Sequence, residues 1–142
     1  MCSSDLDHSR AMVDRARRRF RRSGRVELHL ATAGAIPLAA ASVDKAASVN
    51  VVYFWSDPEA VLRELARVVR PGGRLVLGFE PPETMRAWAG HRYGFRLFES
   101  AELRDLMISA GFVQVEVSER SIPRRGRFCA LTGERPQAQS AP

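Results

Sequence analysis

Glu64–Phe79 reads ELARVVRPGGRLVLGF, and this stretch decides the fold. Leu65, Val68 and Val69 continue an apolar stripe that Val61 and Leu62 begin, at the spacing of one helix face. Pro71 cannot extend that helix, and Gly72-Gly73 turns the chain into the apolar run Leu75–Phe79. A helix thus hands over to a strand within a few residues. The start of the helix is marked too. Asp57 can cap it, Pro58 fits its first position, and Glu59 faces the positive end of its dipole.

Working upstream, DKAASVNVVYFW is a nearly continuous apolar run, which predicts a strand buried on both faces. RVELHLA alternates, with Val26, Leu28 and Leu30 inward and Glu27 and His29 outward. Between the two lies a small-residue loop, TAGAIPLAAAS. Residues 9–22 predict a helix capped by Ser9, with Met12, Val13, Ala16 and Phe20 on one face. Downstream, Glu80-Pro81-Pro82 is a loop and ETMRAWAG a short helix. Ser100 caps a further helix ending at Gly111, and FVQVEVSE with RGRFCALTGE forms a hairpin. The order α-β-β-α-β-(α)-α-β-β predicts an α/β fold, a mainly parallel sheet closed by an antiparallel hairpin.

Composition sets limits. The 142 residues are 45% hydrophobic and 27% charged, as in one ordinary globular domain. No run of about 18 apolar residues is present to span a membrane, and no apolar leader marks secretion. Cys2 and Cys129 give neither a disulfide framework nor a metal-ligand spacing, so a reducing cytoplasm is the default compartment. The net charge is +6, and Lys45 is the one lysine among 22 basic residues. Eight arginines fall between His8 and Val26. Such a cluster can hold a polyanion, which makes a basic nucleic-acid-binding module the alternative function. The solvated face of an amphipathic helix is the simpler reading of the cluster, and the favoured one.

The helix, Arg-Pro-Gly-Gly turn and strand of Glu64–Phe79 resemble the late motif of class I S-adenosylmethionine-dependent methyltransferases, the small-molecule (type 11-like) branch. DHSRAMVDRARRRF resembles that family's Asp-x-Ser-x-x-Met segment. VELHLATAGAIPLAAASVDKAASVNVVYFW is similar to its third strand, Leu-Pro-containing loop and fourth strand. YGFRLFESAELRDLMISAGFVQVEVSER resembles its closing helix, Ala-Gly-Phe turn and hairpin. The resemblance implies a partial Rossmann-like fold over residues 7–132, with 133–142 a disordered tail. It also implies a sheet order 3-2-1-4-5-7-6 from which the first two strands are missing, together with the glycine-rich turn after the first. An inactive fragment of a methyltransferase is the expectation, or a non-catalytic partner completed by another chain. CSSDL is what the end of a common sequencing adapter encodes in one frame, so residues 1–6 are expected to be a non-native leader. RVELHL and AASVNVV should then stand three strand spacings apart, about 14 Å, or collapse together.

The resemblance also implies a site. S-adenosylmethionine would be the cofactor, and a small-molecule methyl acceptor the partner. Asp7 would bind the ribose hydroxyls, beside His8 and Met12 of the same segment; a helix-capping role is the alternative. Thr32-Ala33 falls where the family has Asp-Ala against the adenine, and threonine accepts a hydrogen bond without the charge. Asn50 and Val51 lie near the carboxyl edge of the fourth strand, where open α/β sheets bind ligands. Glu80, His91 and Tyr93 follow the fifth strand, where a base for the acceptor would sit.

Overall fold

A computed structural model describes residues 3–87, 95–124 and 126–137. Two sheets form. In the first, β1 (Ser3–Asp7) and β2 (Val26–Leu30) pair in parallel, with Ser3 opposite Val26 and Asp7 opposite Leu30. Helix α1 (Arg10–Phe20) links them. In the second, β3 (Val43–Val49), β4 (Val69–Phe79), β6 (Gly126–Glu134) and β5 (Val113–Ile122) lie side by side in that order. β3 runs parallel to β4, and the β5–β6 hairpin is antiparallel. Helix α2 (Pro58–Val68) connects β3 to β4, and α3 (Pro82–Arg86) and α4 (Ser100–Ser109) lie between β4 and β5.

Local chemistry explains the helix ends. Ser9 Oγ accepts from the Met12 amide at 3.4 Å, and Asp57 Oδ1 from the Ala60 amide at 2.9 Å. A cap of this kind is worth about 1 kcal/mol. Ser100 does not cap α4; Glu99 holds that position without a side-chain bond. At the other end of α4, Gly111 takes φ +96°, and the Phe112 amide reaches back to the Met107 carbonyl at 3.1 Å. Glycine adopts that left-handed turn without a Cβ penalty, so the helix stops and Phe112 drops into the core.

The core lies between α2, α4 and the four-stranded sheet. Leu62, Leu65, Leu75, Leu77, Phe79, Leu103, Met107, Phe112 and Leu131 are buried there. The first sheet carries far less. Val13 is the fully buried apolar side chain of its helix, while Met12 is 50% exposed and Leu30 38%.

Several expectations change. Strand β1 occupies Ser3–Asp7, so the residues expected to form a leader take part in the sheet, and one of the two strands expected to be missing is present. β2 offers these residues a parallel partner along the full length of β1. Within each sheet the neighbours, β2-β1 and β3-β4-β6-β5, agree with the 3-2 and 4-5-7-6 parts of the implied order. β2 and β3 have not collapsed together; they belong to separate sheets. β3 is therefore an edge strand rather than one buried on both faces, and Val49 is 55% exposed. It ends at Val49, and Val52–Phe54 forms a short 3-10 turn where the apolar run had predicted more strand. On β2, His29 is half-buried instead of outward, and its Nε2 is buried without a hydrogen-bond partner among the described residues. β6 runs on through Gly133 and Glu134, where the tail was expected to begin.

Candidate functional site

Each parallel strand ends on a polar residue singled out from the sequence. Asp7 closes β1, Thr32 follows β2 by two residues, Asn50 follows β3, and Glu80 follows β4. Within each sheet these residues share the carboxyl edge, the edge at which open α/β sheets bind ligands.

Asp7 is fixed by its own neighbourhood. Its carbonyl accepts from the Ala31 amide at 3.1 Å, extending the β1–β2 ladder and setting Thr32 close by. Its Oδ1 accepts from the Ser9 amide at 2.7 Å, in a turn just ahead of α1, while Ser9 itself caps the helix. The side chain is still 41% exposed, and Oδ2 takes no hydrogen bond among the described residues. His8 Nδ1 stands 3.8 Å from Oδ1, too long for a hydrogen bond. Met12 and Asp7 both line a cavity of about 220 Å³ between α1 and the sheet, with Leu6, Val13, Ala16 and Leu28. Thr32 is exposed, and its carbonyl accepts from the Ala35 amide at 3.0 Å in a tight turn. Ala33 packs on the core.

Asn50 adopts φ +56°, a left-handed conformation that asparagine tolerates better than most residues. Its amide still donates to the Gly78 carbonyl at 2.8 Å, the last bond between β3 and β4. The polar residue inside the apolar run is thus the strand's terminator. Asn50 is exposed, as is Val51 at 42%.

Sequence reasoning missed two clasps. Tyr53 is buried, and its hydroxyl donates to the Glu80 carbonyl at 3.2 Å while accepting from the Glu80 amide. One phenol therefore ties the end of β4 to the turn after β3. Burial pushes the Tyr53 hydroxyl up to about 12. The second clasp is Glu64 with Arg67. Arg67 donates through Nε to Glu64 Oε2 at 2.7 Å, and through Nη1 and Nη2 to the Leu38 and Ile36 carbonyls at 2.9 and 3.0 Å. Glu64 Oε1 accepts from the Ile36 amide at 2.8 Å. The pair holds the Ile36-Pro37-Leu38 loop on α2. Its signal was the Glu-x-x-Arg spacing inside the opening stretch.

The Arg67 guanidinium, through its hydrogen bond above all, holds the Glu64 carboxyl below the usual range. A depressed carboxylate stabilises the fold above its unfolded pKa, and that contribution is lost as pH falls through the lower folded value. We expect Glu64→Gln to flatten the acid limb of the stability–pH curve. Urea midpoints measured from pH 7 down to 3 check this; parallel curves for the two proteins would refute it.

His91 and Tyr93 lie outside the described residues. Among those described, no cluster of His, Cys, Asp or Glu could hold a metal ion, and no helix is long and apolar enough to cross a membrane.

Known proteins resemble this chain along most of its length. A family model for the methyltransferase domain matches residues 4–77. An uncharacterised methyltransferase of Bacillus subtilis, YdaC, is 29% identical over 119 residues, covering 80% of this chain and 64% of that protein. An uncharacterised 37.1 kDa protein in a Streptomyces fradiae transposon is 42% identical over 73 residues, 51% of this chain and 21% of that one. The chain thus spans less than two thirds of the length of these curated relatives. A solved Thermotoga maritima structure described as a SAM-dependent methyltransferase, possible histamine N-methyltransferase, superposes with a TM-score of 0.80 at 27% identity. It covers 93% of this chain and 72% of that one. The matched span begins inside β1 and ends inside β4, taking in three of the four carboxyl ends described above. The sequence motifs, the strand order and these matches converge, and the chain belongs to the methyltransferase domain family.

Proposed function

We propose that the protein uses S-adenosylmethionine to methylate a small-molecule acceptor, and that its described residues form the ribose and adenine side of the cofactor site. The observation that carries this is that Asp7, Thr32 and Asn50 each lie at the carboxyl end of a parallel strand. The donor set fits such a group. Asp7 keeps an exposed carboxylate oxygen for a pair of hydroxyls, Thr32 offers an exposed hydroxyl, and Met12, Ala33 and Val51 supply apolar surface. His8 stands exposed beside Asp7. When bound, the cofactor supplies an electrophilic methyl group on a sulfonium. The chain's own part is to orient ligands and exclude water, since such a transfer depends chiefly on placement. Glu80, with its backbone held by Tyr53, is the described candidate for taking up a proton from the acceptor.

Calorimetric titration with S-adenosylhomocysteine tests this reading without turnover. Saturable binding is expected, in the sub-millimolar range, and Asp7→Ala should weaken it about tenfold, the worth of a charged hydrogen bond. Glu59→Gln, on the solvent side of α2, should leave it unchanged. Absence of heat at millimolar ligand, or equal affinity for Asp7→Ala, would overturn the proposal.

A further inference from the structure

We propose that the solvent face of α1 and the turn after it form a docking surface for the phosphate backbone of a nucleic acid. This inference stands on its own observations and does not rest on methyl transfer.

Arg10, Arg15, Arg17, Arg18, Arg19, Arg21, Arg22 and Arg25 are all exposed. Arginine is abundant throughout this chain, so abundance alone says little; pairing says more. Away from α1, Arg63, Arg67, Arg70, Arg74, Arg96, Arg104 and Arg127 each stand within ion-pair distance of a carboxylate. Of the eight around α1, only Arg17 does so among the described residues, with Asp14 at 3.2 Å. Among the described residues, seven of the eleven arginines away from α1 have an acid partner, against one of the eight around it.

Their placement is linear. Arg15, Arg18 and Arg19 follow the i, i+3, i+4 spacing on the side of the helix away from buried Val13. Arg19, Arg22 and Arg25 then line an open concavity of about 490 Å³ together with Phe20, Ser23 and Gly24. The two groups share Arg19, so the positive charge runs from the middle of α1 into the concavity. From Arg15 to Arg22 the rise is about 10 Å. A single anion would need one or two of these groups; a row of guanidiniums suits a row of phosphates. The carboxyl end of a helix carries roughly half a negative charge, which opposes an anion there. Several whole positive charges in the same turn outweigh it.

Anisotropy titrations of the 142-residue chain against a labelled 16-base-pair DNA duplex and a 16-nucleotide RNA test the proposal. Contacts to about four phosphates predict an affinity on the order of micromolar at 50 mM salt and a salt slope of about −3.6 on the duplex. That slope is a loss of about 100-fold between 50 and 200 mM. The triple variant Arg18→Gln/Arg22→Gln/Arg25→Gln should flatten the slope to about −1. Arg86→Gln/Arg120→Gln/Arg124→Gln removes the same charge from exposed positions elsewhere and should leave the slope unchanged. All these side chains are exposed, and circular dichroism is to check that each variant is folded. A flat titration at low salt, equal losses in the two triple variants, or tighter binding to phosphatidylserine vesicles than to either oligonucleotide would overturn the proposal.

Discussion

Phe79→Ala is expected to lower the free energy of unfolding by about 4 kcal/mol, the cost of emptying an aromatic site in a packed core. Phe79 has no solvent exposure and ends β4, the strand flanked by β3 on one side and β6 on the other. Opposite it on β6 stands Cys129, itself fully buried and too small to fill the hole. Domains of this size are stable by about 5–15 kcal/mol, so one substitution would remove a large share of the whole. Urea unfolding followed by tryptophan fluorescence measures it, since Trp55 belongs to the same core. A loss below about 1 kcal/mol would mean that this core is not close-packed.

Gly73→Ala is expected to cost about 3 kcal/mol by the opposite mechanism, overpacking. Between Val69 and Arg74 the β3–β4 ladder breaks, because Val43 pairs with Val69 and Lys45 next with Arg74. Arg70–Gly73 is looped out of register. A Cβ on Gly73 would lie 2.7 Å from the Asp44 carbonyl oxygen, 2.8 Å from the Arg70 carbonyl oxygen and 2.7 Å from Val69 Cγ1. Two of these are backbone atoms that cannot swing aside. The same loop is pinned to β6's end, since the Gly72 amide donates to the Arg135 carbonyl and the Arg135 amide to the Gly73 carbonyl. Gly24→Ala is the control, because a Cβ there meets nothing within 4 Å. Thermal unfolding of both variants decides it: equal melting temperatures would show that the loop yields freely.

Much of this was legible in the residues. The Glu64–Phe79 stretch carries a helix stripe, a stop and a strand in one reading, because each signal is local. The caps at Ser9 and Asp57 were legible for the same reason. β1 was not, since Ser3–Asp7 has no apolar alternation of its own and becomes a strand through β2. The end of β3 was obscured because apolar residues continue past it; only the backbone turn at Asn50 marks it. At the candidate site, Asp7, Thr32 and Asn50 could be named from the sequence. The clasp made by Tyr53 could not, and the Glu-x-x-Arg spacing marks the Glu64–Arg67 pair without showing which loop it grips. Both clasps join residues 27 to 31 positions apart, and no periodicity links such residues.

The Glu64–Arg67 clasp has a dynamic consequence. Among the described residues β1 pairs only with β2, and two strands with one helix are marginal alone. The loop after β2 is what Glu64 and Arg67 fasten to the larger core. Amide exchange in Leu28 and Leu30 should therefore follow local opening events, while exchange in Leu75 and Leu77 awaits global unfolding. A carboxylate and a guanidinium on α2 would then set how long the Asp7 end of the molecule stays formed between openings.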